Sequence, residues 1–132
     1  GGVLEIVKAM EDDVKFELPP NHPDEGQDIA AYYLWLFPNM MFNFYPWGLS
    51  VNVVIPVSHN QCRVLYRGYV SDPKLASQGA GSVLDTVEHP DQWVIEEVQK
   101  GVASKAYDRG RYSPTKEQGV HHFHRMLSQI LK

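Results

Sequence analysis

Cysteine is almost missing from this chain: Cys62 stands alone, which excludes an intrachain disulfide and a thiolate metal cluster and fits a reducing, cytoplasmic setting. Basic clustering is also missing. Twelve Lys and Arg are scattered among sixteen Asp and Glu, for a net charge of −4, so no positive stripe exists to follow a phosphate backbone and nucleic-acid binding is not expected. No apolar run approaches the roughly 20 residues of a membrane span, and Gly1-Gly2-Val3 lacks the basic-then-apolar pattern of a signal peptide. The chain therefore reads as soluble. It also lacks an initiator Met, which points to a register that begins inside a longer product or after a tag. Neither a serine nor a cysteine sits in a nucleophile elbow. Gln78-Gly79-Ala80-Gly81-Ser82 lacks the lysine of a phosphate-cradling loop.

What is present suggests one domain or part of one, because 132 residues at 43% apolar composition suffice for a single core. Pro19 to Gln27, with Pro19-Pro20, Asn21, Pro23, Asp24 and Gly26, reads as a turn-rich loop behind a short N-terminal piece. From residue 30 to 70 aromatic and β-branched residues predict four strands, near 30–37, 40–45, 49–56 and 62–70. The short connections at Pro38-Asn39, Pro46-Trp47-Gly48 and Ser58-His59-Asn60-Gln61 make them antiparallel neighbours in a meander. Past Ser71-Asp72-Pro73 the period changes. Trp93, Val94, Val98 and Val102 follow one helix face, entered at Pro90. A second helix starts with Ser113 as N-cap and Pro114 at its first position, and carries Val120, Phe123, Met126, Leu127, Ile130 and Leu131. The strand-rich part is thus 1–72 and the helical part 73–132, an α+β arrangement with helices packed on one sheet face.

Three groups of residues bear chemistry. In Gly119-Val120-His121-His122-Phe123-His124, only His121 and His124 have the i, i+3 spacing that lets two imidazoles chelate from one helix, and no third ligand is near. Partly buried, hydrogen-bonded histidines near the sheet are the favoured reading. Eight aromatic residues fall between Tyr32 and Trp47. Strand alternation turns Tyr33, Trp35 and Phe37 to one face and Tyr32 and Leu34 to the other. Such a face packs a core, or lines a cavity for a flat ring or a quaternary ammonium, each contact contributing about 0.5–2 kcal/mol. Glu88, Asp91, Glu96 and Glu97 crowd the helix entered at Pro90. Most of these serve the helix dipole, and one carboxylate can form one arm of a two-histidine, one-carboxylate site for ferrous iron.

Two long segments carry a resemblance. The stretch from Tyr32-Tyr33-Leu34-Trp35-Leu36-Phe37-Pro38-Asn39 through Phe42-Asn43-Phe44-Tyr45-Pro46-Trp47-Gly48-Leu49-Ser50-Val51-Asn52 resembles the middle of a Rieske oxygenase α-subunit catalytic domain. Trp93 through Gln99-Lys100-Gly101, Gly110-Arg111-Tyr112-Ser113-Pro114 and Gly119-Val120-His121-His122-Phe123-His124-Arg125 is similar to that domain's C-terminal end. The likeness covers about residues 30–127 and leans towards the branch of choline and carnitine monooxygenases.

That resemblance implies a helix-grip, START-like fold with the substrate cavity between sheet and helix. It implies a [2Fe–2S] Rieske domain that feeds electrons to a mononuclear Fe(II), held by two histidines of an Asp-x2-His-x4-His segment and a later aspartate. Asp91, eight residues before Gln99, falls at that aspartate, in a His89-Pro90-Asp91 context where the family usually has an acidic pair. Substrate-lining positions map onto Tyr33, Met41, Asn43 and Val87. No two histidines here are five positions apart, and no Cys-x-His with Cys-x2-His pair exists. Those ligands are therefore expected upstream of Gly1, and the chain is expected to be a C-terminal catalytic-domain fragment, inactive alone. Its intact enzyme would oxygenate an aromatic or quaternary-ammonium substrate, work with a reductase and assemble as a homo-oligomer, a trimer by resemblance. A stand-alone helix-grip module that binds a small ligand without chemistry is the alternative, and self-association through exposed apolar surface is a third.

Overall fold

In the computed structural model, residues 1–11, 13–79, 81 and 84–132 are described, with 84–91 described by their backbone alone. The chain divides into two units, Gly1–Val83 and Leu84–Lys132.

The first unit is a five-stranded antiparallel meander. Strands β1 (Gly2–Lys8), β2 (Ile29–Leu36), β3 (Met40–Tyr45), β4 (Gly48–Ser58) and β5 (Gln61–Val70) lie in chain order. Four of these are the strands expected from the aromatic and β-branched runs. The fifth, β1, was not expected. Its Val3-Leu4-Glu5-Ile6-Val7 run is short, and its partner β2 lies beyond a loop of some twenty residues, so no tight turn announces the pairing.

That loop is fastened by backbone hydrogen bonds. Ala9 N–H donates to the Asp28 carbonyl at 3.0 Å, and Phe16 N–H donates to the Ile29 carbonyl at 2.9 Å. Ile29, Ala30 and Ala31 are consecutive and fully buried, so β2 is covered on both faces at its start. Burying Ile29 alone stabilises by about 1.5–3 kcal/mol. The remaining core is aromatic: Tyr45 and Trp47 are buried and stack. Gly81 lies against the Tyr45 ring with φ +77°, and a Cβ there would come within 2.6 Å of the ring, so both backbone conformation and space demand glycine.

Turns hold the hairpins in register. The Asn39 amide donates to the Val54 carbonyl at 2.8 Å, while Val54 N–H donates to the Asn39 carbonyl at 3.0 Å. The β2–β3 turn is thereby pinned onto β4. At the β3–β4 turn the Trp47 carbonyl accepts from the N–H groups of Ser71 and Asp72 and from the Ser71 hydroxyl. The chain leaving β5 is anchored there.

The second unit holds α1 (Leu84–Val102) and α2 (Gln118–Ile130). Sequence reading has α1 entered at Pro90, whereas the helix starts at Leu84 and Pro90 lies inside it. Proline removes one backbone donor and costs about 3 kcal/mol in a helix interior. Leu84 and Val87 extend the apolar spacing of Trp93, Val94 and Val98 backwards, which is the pattern that Pro90 masks. The start of α2 also differs from expectation. Ser113 and Glu117 form a capped turn ahead of it: the Ser113 hydroxyl accepts from Lys116 N–H at 3.3 Å, and Ser113 N–H donates to the Glu117 carboxylate at 2.6 Å. Helix α2 then begins at Gln118, with Glu117 as its N-cap. Gly119, Phe123, Met126 and Leu127 make its half-buried stripe. The whole is α+β, a five-stranded antiparallel sheet and two helices.

Candidate functional site

Cross-strand pairing decides which side chains become neighbours, since directly opposed residues share a face. Tyr33 pairs with Asn43, and Asn43 in turn with Ser50. One step along, Trp35 pairs with Met41, Met41 with Asn52, and Asn52 with Tyr66. Tyr33, Met41 and Asn43 thus lie together on one sheet face, all half-buried. On the same face Tyr33 meets the edge of Tyr45, ring centroids 6.1 Å apart, and Trp35 meets Phe37 edge-on at 6.0 Å. The alternation read from the sequence is the one the strands adopt. Val87 and Asp91 fall within α1, and their side chains lie outside the described residues.

Ser50 and Asn52 are the members of this face that sequence reading missed. Ser50 is 2% exposed, and its hydroxyl donates to the Asn52 side-chain carbonyl at 3.1 Å. A signal existed: in Leu49-Ser50-Val51-Asn52-Val53 the polar residues alternate with the apolar ones and must share a face. The residues that β2, β3, β4 and β5 present on this face between Ala31 and Val70 are uncharged, and β1 adds the carboxylate of Glu5 directly opposite Tyr33. Arg67 pairs with Val51 and Arg63 with Ile55, on the other face.

The opposite face carries Tyr32, Leu34 and Phe44. An open hollow of about 380 Å³ is lined there by Leu4, Phe16, His22, Tyr32, Leu34 and Phe44. Phe16 tilts onto Tyr32 at 5.4 Å. The Tyr32 hydroxyl donates to Asp24 Oδ2 at 3.0 Å, and Gln27 donates to Asp24 Oδ1 at 3.2 Å. Loss of hydration, then the hydrogen bond to Asp24 and the charge of that carboxylate, raise the Tyr32 phenol above its ordinary value. A second open hollow, of about 410 Å³, lies by the β3–β4 turn and includes Phe44, Tyr45, Gly48 and Tyr69. Neither hollow takes in Tyr33, Met41 or Asn43.

The histidine cluster is organised by Tyr112. Its ring meets His121 at 5.1 Å and His124 at 5.7 Å, both near edge-on, and its hydroxyl is hydrogen-bonded to His124 Nδ1. His121, His122 and His124 are exposed. That corrects the expectation of part-burial, because the half-buried stripe of α2 falls on Phe123, Met126 and Leu127 and leaves the imidazoles exposed. Among the described residues no three His, Cys, Asp or Glu side chains converge as metal ligands. Cys62 is exposed on β5 and alone. The described donor set therefore does not fit a mononuclear iron site or an iron–sulfur cluster.

A five-stranded antiparallel sheet with an aromatic and amide-bearing face, accompanied by two helices, defines an α+β protein. The particular family is shown by comparison: the model of the ring hydroxylating alpha subunit (catalytic domain) matches residues 6–132, and the chain belongs to that family. It is 38% identical over 108 residues to a chloroplastic choline monooxygenase of Arabidopsis thaliana, covering 77% of this chain and 25% of that protein. It is 32% identical over 119 residues to the spinach (Spinacia oleracea) counterpart, covering 85% of this chain and 27% of that protein. With the carnitine monooxygenase oxygenase subunit of Escherichia coli K12 it shares 30% identity over 139 residues, covering 96% of this chain and 35% of that protein. The chain spans about a quarter to a third of the length of these curated relatives. No solved structure matches it. No helix among the described residues is long and apolar enough to cross a membrane.

Proposed function

We propose that this chain supplies the substrate-facing wall of a Rieske-type oxygenase catalytic domain, and that the intact enzyme oxygenates a quaternary-ammonium or aromatic substrate. The carrying observation is the alignment of Tyr33, Met41 and Asn43 on one sheet face, in a chain whose family match runs over residues 6–132. Tyr33 and Trp35 offer ring faces to a cation or a flat ring, and Asn43 orients it through its amide. Relatives named for choline and carnitine favour the quaternary ammonium. By resemblance we also assign Val87 a substrate-lining role.

In the intact enzyme Fe(II) supplies dioxygen activation and a [2Fe–2S] cluster supplies electrons. The sequence holds no His-x4-His pair and a single cysteine, so we assign one iron ligand to this chain, Asp91, and infer that the chain alone is inactive. A reductase partner, a homo-oligomeric assembly, a helix-grip fold of the complete domain and a cytoplasmic location belong to the same proposal; the plant relatives are named chloroplastic.

Calorimetric titration of the full chain with choline, carnitine, tetramethylammonium and toluene tests the wall. Saturable binding of a quaternary ammonium that weakens at least tenfold in Tyr33→Ala is expected. Unaltered binding in Tyr33→Ala, or no binding of any of the four, overturns the reading.

A further inference from the structure

Strand β1 brings a charge to the Tyr33 face. Glu5 is directly opposite Tyr33, whose other partner across the sheet is Asn43. The flanking pairs on that face are Val3 with Trp35 and Val7 with Ala31, while alternation sends Leu4 and Ile6 to the other face. Glu5 is exposed, and among the described residues its carboxylate takes part in no hydrogen bond and no ion pair. The next two lysines along the chain are engaged elsewhere. The Lys8 ammonium donates to the Gln27 side-chain carbonyl, and Lys15 pairs with Asp28 at 3.0 Å.

Directly opposed side chains of an antiparallel pair have their Cβ atoms about 5 Å apart, so a ligand resting on the Tyr33 ring is within reach of the Glu5 carboxylate. A quaternary ammonium has no N–H to donate. Ring faces and negative charge are therefore the groups that attract it. Apolar contact with the rings acts on any ligand of the same shape, whereas the carboxylate acts on its charge. Together they separate ligands that are alike in size and differ in charge.

We propose that Glu5 is a specificity-determining residue: its carboxylate contacts the cationic end of the bound substrate beside Tyr33 and favours it over an uncharged group of the same shape. The inference rests on the wall reading above and adds to it a residue outside the stretch that the family model matches.

The test is calorimetric titration of the full chain and of Glu5→Gln, Glu5→Lys and Tyr33→Ala with choline and with its neutral isostere, in which a carbon replaces the quaternary nitrogen. Glu5→Gln keeps the size of the side chain and removes the charge. It is expected to weaken choline about threefold, as for an exposed charge pair, and to leave the isostere unchanged. Glu5→Lys is expected to weaken choline further, again with the isostere unchanged. Added salt should weaken choline binding in the unaltered chain more than in Glu5→Gln, a difference that a purely structural glutamate would not produce. If Glu5→Gln changes both ligands equally, or neither, while Tyr33→Ala weakens choline, the role of Glu5 is overturned and the aromatic wall stands. If Glu5→Gln does not fold, Glu5→Lys decides by the same ratio of affinities. If Tyr33→Ala leaves choline unaffected, or the unaltered chain binds neither ligand, the wall reading fails and this inference fails with it.

Discussion

Tyr45 and Trp47 stack face to face, ring centroids 5.0 Å apart and planes 8° from parallel, with both residues buried at the β3–β4 turn. Only Pro46 separates them in sequence. The turn therefore brings together two rings that a continuing strand would place on one face two residues apart. Tyr33 meets the edge of Tyr45, and Gly81 lies against the Tyr45 ring.

Trp47→Ala is expected to destabilise the sheet unit by about 3–5 kcal/mol, the range for truncating a buried large aromatic. Its backbone carbonyl still anchors Ser71 and Asp72, so those hydrogen bonds are kept. Urea unfolding followed by far-ultraviolet circular dichroism checks it, and a change under about 1 kcal/mol would deny the ring pair its role in the core.

Gly48 has φ +155°, and a Cβ there would lie 2.1 Å from the Tyr69 carbonyl oxygen. Backbone cannot yield as a side chain does, so Gly48→Ala is expected to cost more than about 2 kcal/mol and to part β4 from β5 at the Gly48–Val70 pair. Amide hydrogen exchange should show the loss of protection near Val70 and Ser71 first.

Tyr32 gives the pH dependence. Its folded pKa lies above its unfolded value near 10, from lost hydration first and then from the Asp24 hydrogen bond and charge. The folded state therefore holds the proton more tightly than the unfolded chain. The associated stability is fully present below about pH 10 and is lost as pH rises through the folded value. Asp24→Asn removes the carboxylate charge and should lower the Tyr32 titration in ultraviolet difference absorbance, and Tyr32→Phe should remove that component altogether. An unchanged titration curve in Asp24→Asn would contradict the assignment.

Tyr112→Phe deletes the hydroxyl that bonds His124 while it keeps the ring against His121. All partners are exposed, so the expected cost is about 0.5–1 kcal/mol. A selective change in the His124 imidazole resonances should accompany it.

Anaerobic loading with Fe(II) is expected to leave no stoichiometric iron on the chain, and Asp91→Ala is expected to change nothing, since one carboxylate cannot retain ferrous iron against water and buffer. Tight one-to-one iron in the unaltered chain, lost in Asp91→Ala, would contradict the proposed ligand shortage.

Strands β2 to β5 were legible because their aromatic and β-branched residues stand between turn-forming Pro-Asn, Pro-Trp-Gly and Asn-Gln segments. The faces of Tyr32 and Tyr33 were legible for the same local reason, a period of two. Strand β1 was not, since its pairing with β2 depends on a loop that folds back through Phe16 and Ile29. The start of α1 was obscured by Pro90, a residue that local rules place at a helix entrance and that here sits in its interior. The exposure of His121 and His124 was misjudged because their neighbours Phe123 and Leu127 take the half-buried stripe of α2.

The amino-acid order by itself determined strands β2 to β5, the presence of two helices and the division of those strands into two faces, because these follow from backbone geometry and the hydropathy of adjacent residues. It also carried the family likeness, which resides in side-chain identity along the chain. Only the tertiary structure decided that Tyr33 stands opposite Asn43, Asn43 opposite Ser50, and that the Ser50 hydroxyl is buried and turned to Asn52. The physical reason is register: a slip of one residue between strands moves every side chain to the other face, and what prevents the slip is the sum of contacts between residues far apart in the chain.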